Sequence, residues 1–383
     1  MSESALKKIK VLVVDDSAVM RKIISGALSK EPLIDVVGFA ANGFQAIEKV
    51  RSLNPDVVTL DIEMPEMDGL SALKEIRKEY RRLPIIMFST LTHKGAQAAV
   101  MALTAGASDY VGKPTTSAGS IEGAFKVLEN ELIPKIVGLA KRVGQTKKLS
   151  LADTGSTHSA LTSPGQSKPL TSTGMSAKAL SNLVVPNKPI SAVCIGVSTG
   201  GPMALMQIFG RIQNPLPVPI FIVQHMPPTF TALLAARLST VGATTVQEAQ
   251  EGGVAEPGNA YIAPGGFHMT LGGIGARTTM HLNTDPPENS CRPAVDVLFR
   301  SAASRYGSGL LAIVLTGMGY DGLKGCQTIV LNGGQVIAQD EETSVIWGMP
   351  GAVAEQKLAD VLLPIDRIAD EVIFRTRKIS RQV

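Results

Sequence analysis

The stretch Ala192–Leu205, AVCIGVSTGGPMAL, decides the fold of the second half of the chain. Its first six residues, Ala192–Val197, predict a buried strand, and Pro202 predicts the first turn of a helix. Ser198 lies at the break between them. Such a turn exposes one hydroxyl among free backbone N–H groups, which can hold an anion or a developing oxyanion. Three interpretations stay open here: a G-x-S-x-G nucleophile elbow, a glycine turn without chemistry, and a phosphate-binding loop.

Length and composition indicate two globular domains. The chain has 383 residues, of which 44% are hydrophobic and 18% are charged, and its net charge is +4. That charge is too small to argue for a nucleic-acid partner, because no dense Lys/Arg stripe accompanies it. No apolar run reaches about 18 residues and the N-terminus lacks a signal core, so we expect neither secretion nor membrane insertion.

Three cysteines bear on the compartment. Cys194, Cys291 and Cys326 are too few and too scattered for a disulfide framework or a zinc site. They indicate a reducing compartment, so the sequence predicts a cytoplasmic protein.

Composition divides the chain into three parts. Residues 8–140 and 189–383 alternate apolar strands with amphipathic helices, the pattern of two doubly wound parallel-sheet α/β domains. Residues 141–188 are rich in Ser, Thr, Lys, Gly and Pro with sparse apolar residues, which predicts a flexible linker.

The first domain has five short apolar runs that predict its strands. They are Lys10–Val14, Ile34–Gly38, Val57–Leu60, Ile85–Phe88 and Tyr110–Val111. A closing helix from about residue 121 is predicted by apolar residues at steps of three and four. These positions are Ile121, Phe125, Leu128, Leu132, Ile136 and Leu139.

Polar side chains follow four of these strands. They are Asp15 and Asp16, Asp61, Ser89, and Lys113. The carboxyl ends of parallel strands share one crevice, so we expect these side chains to meet there. Three carboxylates repel one another unless a cation joins them, and hard oxygen ligands suit Mg²⁺. For any single Asp, the alternative is capping of the next helix.

Four segments of this domain resemble a two-component receiver domain. They are VLVVDDS at Val11–Ser17, DIEMPEMDG at Asp61–Gly69, FST at Phe88–Thr90, and KP at Lys113–Pro114. The resemblance implies a flavodoxin-like fold and a two-state element whose population phosphorylation shifts.

The receiver resemblance also implies roles for single residues. Asp61 would accept the phosphoryl group, and Mg²⁺ would be held by Asp15, Asp16, Asp61 and the backbone carbonyl of Glu63. The switch residues would be Ser89, Tyr110 and Lys113.

In the second domain, three candidate catalytic residues follow predicted strands. Ser198 follows Ala192–Val197, His225 follows Pro219–Gln224, and Asp321 lies in the glycine loop after Leu310–Leu315. If these strands are parallel neighbours, the three side chains converge as a Ser-His-Asp triad. The order Ser, His, Asp differs from that of α/β-hydrolases. Taken singly, His225 could be a core histidine and Asp321 a turn former.

The second domain also resembles the catalytic domain of the chemotaxis protein-glutamate methylesterases. The resemblance covers nearly all of Pro189–Asp366 and rests on IGVSTGGP, VQHMP, YIAPGGFHM, CRPAVDVLF and LTGMGYDG. The order of receiver, linker and esterase is also that family's. The resemblance implies a Rossmann-like domain that hydrolyses glutamate methyl esters of chemoreceptors and deamidates receptor glutamines. It also implies that the esterase reaction needs no cofactor.

The same resemblance implies further sites and partners. The oxyanion would be held by the N–H groups of Thr199 and Met318, and the rim of the cleft by Tyr261, His268 and Arg292. The partners would be methyl-accepting chemoreceptors as substrate and a chemotaxis histidine kinase as phosphodonor, and we expect a monomer. The order of a switchable domain, a flexible tether and a cleft for a large substrate leads to a separate expectation: an unphosphorylated receiver covers the crevice and inhibits the esterase.

Two other classes of protein share parts of this pattern. A nucleotide-binding Rossmann domain predicts an acid about 20 residues after the glycines, but the sequence there, QNPLPVPIFIVQH, contains none. A phosphorylation-controlled adaptor would bind a partner without catalysis, and replacement of Ser198 would leave its function intact.

Overall fold

A computed structural model describes residues 7–90, 92–114, 121–140 and 189–377. The predicted linker at 141–188 lies outside these described residues. No helix within the described ranges is long and apolar enough to cross a membrane.

The first domain is a five-stranded parallel sheet in the order β2-β1-β3-β4-β5. Its strands are β1 Ile9–Val14, β2 Ile34–Ala40, β3 Val57–Asp61, β4 Ile85–Ser89 and β5 Asp109–Gly112. The connecting helices are α1 Ala18–Leu28, α2 Gly43–Leu53, α3 Gly69–Glu79 and α4 His93–Thr104. This is the predicted doubly wound arrangement, and each predicted strand is present.

A short polar side chain caps the start of each connecting helix. Ser17, Asn42, Asp68 and Thr92 each accept a hydrogen bond from the backbone N–H three residues ahead. This satisfies one of the N–H groups that a helix start leaves without an intrahelical partner. The capping residues therefore fix where each strand-to-helix connection ends, and with it the crevice above the sheet.

The predicted closing helix is interrupted. It begins as α5 Ile121–Val127, passes through a π-helical turn at Leu128–Leu132, and continues as α6 at 133–140. Four of the apolar residues that predicted it are buried: Leu128, Leu132, Ile136 and Leu139. The apolar face is present as predicted, but its spacing did not show the widened turn.

The second domain is a seven-stranded parallel sheet in the order β14-β13-β12-β6-β7-β9-β8. Its strands are β6 Ala192–Val197, β7 Ile220–Gln224, β8 Thr245–Glu248, β9 Asn259–Ile262, β12 Leu310–Val314, β13 Gln335–Gln339 and β14 Val361–Leu363. An antiparallel hairpin, β10 His268–Ile274 and β11 Arg277–Asn283, stands apart from this sheet.

The helices of this domain are α7 Gly201–Arg211, α8 Phe230–Leu238, α9 Val295–Tyr306, α10 Leu323–Leu331, α11 Met349–Glu355 and α12 Ile365–Arg377. Strand β6 is central and fully buried, as its uninterrupted apolar run predicts for a parallel sheet covered on both faces. After β6 the chain adds β7 on one side and later returns to add β12 on the other. The strand order therefore reverses at β6, which is where open α/β sheets place their ligand crevice.

Candidate active site

The turn after β6 is fixed by two glycines. Gly200 has φ 80°, a left-handed conformation, and a Cβ there would lie 2.5 Å from the Val345 side chain. A Cβ on Gly201 would lie 2.0 Å from Gln224 Oε1. Glycine is required at both places, the first for backbone conformation and the second for close approach. The turn holds Ser198 partly exposed at the carboxyl end of the strand.

Some backbone N–H groups around Ser198 donate hydrogen bonds within the protein, and others do not. The N–H of Ser198 donates to Thr316 O at 3.0 Å. Among the described residues, the N–H groups of Thr199 and Met318 have no acceptor. Both were predicted as oxyanion donors, and both remain available to an incoming oxygen.

His225 and Asp321 form a hydrogen-bonded pair. His225 follows β7, Asp321 follows β12, and Nε2 of the imidazole lies 2.8 Å from Oδ2 of the carboxylate. Burial lowers the pKa of His225, but the hydrogen bonds with Asp321 and Cys291 outweigh it and raise the pKa to about 9. With Nε2 donating to Asp321, the lone pair that can accept a proton is on Nδ1.

Asp321 is held by four donors besides the histidine. Oδ2 accepts from the N–H of Val295 at 2.7 Å, and Oδ1 accepts from the N–H groups of Asp296 and Gly322, each at 3.0 Å. Asn289 Nδ2 donates to Oδ1 at 2.9 Å. Burial would raise the pKa of Asp321, but the pairing with His225 and the backbone donors lower it overall. Asp321 is therefore a fixed carboxylate, held in part by the backbone N–H groups at the start of α9.

Cys291 occupies the other side of His225. Its Sγ lies 3.5 Å from Nδ1, the nitrogen that faces away from Asp321. Within the described residues, no hydrogen bond joins the Ser198 hydroxyl to His225. The structure thus forms the His–Asp half of the predicted triad and places Ser198 on the neighbouring strand end, beside it but not hydrogen-bonded to it.

Sequence reasoning missed Cys291 and Asn289 as site residues. Asn289 Nδ2 donates to Asp296 Oδ2 at 2.9 Å as well as to Asp321 Oδ1, so one amide group bridges two buried carboxylates. Asn289 and Ser290 both have positive φ, 51° and 63°. The only sequence signal was the segment CRPAVDVLF, which begins directly after this turn.

The prediction that Tyr261 and His268 line the rim of the cleft is wrong, because both are buried. Tyr261 is buried, and its hydroxyl donates to Val254 O and accepts from the Glu256 N–H, so it belongs to the core. His268 is also buried: Nδ1 accepts from the Ala294 N–H, and Nε2 donates to a backbone carbonyl at position 286.

Arg292 is partly exposed, so its place on a rim stays a prediction. Its Nη1 donates to the carbonyls of Thr284 and Asp285. All three residues hydrogen-bond to backbone groups, and Tyr261 and His268 do so from buried positions.

The receiver crevice assembles the acids predicted to meet there. Ligand oxygens of Asp15, Asp16 and Asp61 all lie within 4.8 Å of one another. Lys113 Nζ lies 2.6 Å from Asp61 Oδ2 and 3.2 Å from Asp15 Oδ2. Burial raises the pKa of Asp61 to about 6, although Lys113 opposes it. Glu63 contributes its N–H to Asp61 Oδ1 at 3.3 Å.

These residues fit a divalent cation. Asp15 Oδ2 is buried and, among the described residues, makes no hydrogen bond; its 3.2 Å contact with Lys113 is an ion pair only. A buried carboxylate oxygen without a donor, beside two further carboxylates, is the donor set that Mg²⁺ takes. Ser89 points elsewhere, since its hydroxyl donates to Gly95 O at 2.7 Å.

The receiver packs against the second domain next to Ser198. Thr199 Oγ1 donates to Asp109 Oδ2 at 2.5 Å, in a buried contact. The Tyr110 ring stacks on Phe230 with centroids 4.6 Å apart. Helix α4 lies against α7 and α8, and Met318 and Ile346 pack with the apolar face of α5 and α6. The contact surface therefore includes both predicted oxyanion residues, Thr199 and Met318.

These features define a class of protein: a receiver domain joined to a hydrolase domain of parallel α/β fold. The family model "Response regulator receiver domain" matches residues 11–122, and the model "CheB methylesterase" matches residues 193–372. The chain belongs to the protein-glutamate methylesterase/protein-glutamine glutaminase family.

Relatives match over nearly the whole length. A protein-glutamate methylesterase/protein-glutamine glutaminase of Trichodesmium erythraeum is 46% identical over 97% of this chain and 99% of its own. One from a Nocardioides species is 46% identical over 98% and 96%. The crystal structure of the CheB methylesterase catalytic domain of Thermotoga maritima is 43% identical, with TM-score 0.48, and covers 49% of this chain and 99% of that one.

Proposed function

We propose that this chain hydrolyses γ-methyl esters of glutamate side chains on chemoreceptors and deamidates particular receptor glutamines, under control of phosphorylation at Asp61. The observation that carries the proposal is the hydrogen bond of 2.8 Å between His225 Nε2 and Asp321 Oδ2, beside a serine on a strand-to-helix turn. Whole-length similarity to named methylesterase/glutaminases supports the substrate class.

In the reaction, the Ser198 hydroxyl attacks the ester or amide carbonyl. His225 Nδ1 takes the hydroxyl proton and delivers it to the ester oxygen or amide nitrogen, which then leaves as methanol or ammonia. Water then cleaves the acyl group from Ser198 Oγ and yields the free glutamate carboxylate. Asp321 holds the ring orientation and stabilises its cationic form, because four further donors keep its carboxylate ionised in place.

The N–H groups of Thr199 and Met318 stabilise the oxyanion. Each lacks a protein acceptor within the described chain, so neither must break a hydrogen bond before it donates to the oxyanion. The esterase reaction uses no metal in this scheme, because imidazole activates the serine.

In the receiver, Asp61 accepts a phosphoryl group. Asp15, Asp16, Asp61 and the Glu63 carbonyl would hold Mg²⁺, which would supply positive charge beside the phosphoryl group. Lys113 is already within 2.6 Å of Asp61 and contacts a phosphoryl oxygen after transfer. Ser89 leaves Gly95 O to bind the same group, and Tyr110 responds at the other face.

The unphosphorylated receiver inhibits the esterase by docking. Support comes from two contacts of β5: Asp109 accepts from Thr199 on the turn that carries Ser198, and Tyr110 stacks on Phe230 at the start of α8. A substrate the size of a receptor helix bundle needs that surface free. Phosphorylation that rearranges Ser89 and Tyr110 weakens the contact and exposes the serine.

Partners and compartment follow from this chemistry. A chemotaxis histidine kinase supplies the phosphoryl group, and methyl-accepting chemoreceptors supply the ester. The three cysteines are all free, which suits a reducing cytoplasm. Inhibitory contact and catalytic groups lie in one chain, so a monomer suffices.

Methanol release from methylated receptor tests the proposal. Ser198→Ala and His225→Ala should each abolish it, and Asp321→Asn should lower it on the order of 10⁴-fold, because the three act as one unit. Ser304→Ala, an exposed serine on α9, is the matched control. Turnover at the parent rate in Ser198→Ala would leave a partner-binding adaptor as the function.

A further inference from the structure

The tertiary structure gives the catalytic histidine a second metal-ligating neighbour. Cys291 Sγ lies 3.5 Å from His225 Nδ1, and with Asp321 these residues offer ligand atoms within 4.8 Å of one another. We propose that Cys291 and His225 form a zinc-binding site whose occupation inhibits the esterase. The inhibition rests on the proposed function; the metal site does not.

The distance between the two ligand atoms fits one tetrahedral ion. Zinc binds thiolate sulfur at about 2.3 Å and imidazole nitrogen at about 2.0–2.1 Å, so two such ligands at a tetrahedral angle lie about 3.5 Å apart. The Sγ–Nδ1 distance is 3.5 Å. Zinc can therefore replace the thiol proton between these atoms with little movement of either side chain.

The other imidazole nitrogen is already arranged as in zinc sites. A zinc-bound histidine usually donates its second N–H to a carboxylate, which fixes the ring and makes the ligand nitrogen more basic. Here Nε2 lies 2.8 Å from Asp321 Oδ2, and that carboxylate is itself held by Asn289 and three backbone N–H groups. The arrangement that prepares Nδ1 to accept a serine proton equally prepares it to bind a metal.

Access and ligand type favour zinc at this place. Cys291 and His225 are both partly exposed, so water can fill the remaining coordination positions. Thiolate and imidazole suit zinc, whereas the carboxylates of the receiver suit Mg²⁺. Cys194 and Cys326 are buried, and burial raises the pKa of each thiol, so neither competes for the ion.

Occupation would block the reaction at a defined atom. Zinc bound to Nδ1 uses the lone pair that must accept the Ser198 proton. The metal and the proton therefore compete for one nitrogen, and inhibition follows binding without any change of fold.

The binding test uses Co²⁺ as a spectroscopic substitute for zinc on the full chain, with excess Mg²⁺ to fill the receiver site. A thiolate-to-cobalt absorption band should appear and be removed by added Zn²⁺. Cys291→Ala should lose the band and weaken Zn²⁺ binding about 100-fold or more, at least the effect of losing an outer-shell partner. Cys326→Ala, which removes a buried thiol away from the site, should keep both the cobalt band and the affinity for Zn²⁺.

A second measurement covers the case in which Cys291→Ala does not fold. Iodoacetamide should alkylate the partly exposed Cys291 in the parent chain, spare the two buried cysteines, and remove the band. No band in the parent, or a band that persists after substitution or alkylation of Cys291, overturns the site.

Ester hydrolysis is then measured with and without Zn²⁺, each chain against its own metal-free rate. Zinc should inhibit the parent and Cys326→Ala but not Cys291→Ala at the same concentration. Full parent activity at saturating zinc overturns the inhibition. If the parent chain shows the cobalt band but hydrolyses no ester, the proposed function is wrong and the metal site is still supported.

Discussion

Replacement of Thr199 by valine should release the receiver from the esterase domain. Valine keeps the shape and the N–H of residue 199 but removes the hydroxyl that donates to Asp109 Oδ2 at 2.5 Å. The Tyr110 N–H and Lys135 Nζ bond Oδ1 of Asp109, not Oδ2. In the docked chain the variant therefore leaves a carboxylate oxygen without its donor, in a residue that is only 7% exposed.

The size of the effect follows from the charge of the acceptor. A hydrogen bond to a charged group contributes about 1.5–3 kcal/mol when one partner is removed. At about 1.4 kcal/mol per factor of ten, docking should weaken about 10- to 100-fold. Because the docked form is inactive in this scheme, the unphosphorylated full chain should gain activity by up to that factor, with the rate of the fragment 189–383 as its ceiling.

The assay compares methanol release by the unphosphorylated full chain and by the fragment, each with and without the substitution. The fragment reports any direct effect on the oxyanion site, so the ratio of full chain to fragment isolates docking. A phosphodonor should stimulate the full-length variant less than the parent. Thr199→Ser keeps the hydroxyl and should behave as the parent.

One result would refute the reasoning. If Thr199→Val changes neither the full chain nor the fragment, the Thr199–Asp109 hydrogen bond does not hold the domains together. Equal rates for the parent full chain and the parent fragment would remove inhibition by docking altogether, and would favour recruitment to receptors as the role of the receiver.

Three further predictions concern single groups. Asp61→Ala, or EDTA added to the parent, should abolish labelling by a small phosphodonor, because acceptor and metal are both required; labelling that persists in Asp61→Ala would place the phosphoryl group elsewhere. Asn289→Ala should lower kcat about tenfold with little change in KM, since Asp321 loses a charged hydrogen bond; Asn332→Ala, at an exposed helix end, is its control, and equal rates for the two would contradict a positioning role. The activity of the phosphorylated chain should rise with pH, with an apparent pKa above 6.5 and towards about 9, because His225 accepts a proton only when neutral. Cys291→Ala should move that pKa down, as one raising contact is lost, and a half-maximal rate below pH 6.5 in the parent would contradict the assignment.

Much of the fold was predictable from local pattern. Strand β6 has the predicted bounds, Ala192–Val197, because a fully buried parallel strand is apolar at every position. The acids of the receiver were predictable as a group, because the ends of parallel strands meet at one edge whatever loops connect them. The π-helical turn at Leu128–Leu132 was not, since its apolar residues keep the same face as an uninterrupted helix.

The site divides in the same way. The sequence by itself determined which side chains end β6 and β7 and which loop carries Asp321, because strand periodicity and glycine turns are short-range properties. Only the tertiary structure decided that Cys291 contacts His225, that Asn289 holds Asp321, and that Thr199 bonds Asp109. These partners lie on turns or in separate domains, and no repeat in the sequence encodes the direction of a side chain on a turn. Their contacts depend on how two sheets and their loops pack, which is set by the sum of many distant apolar contacts.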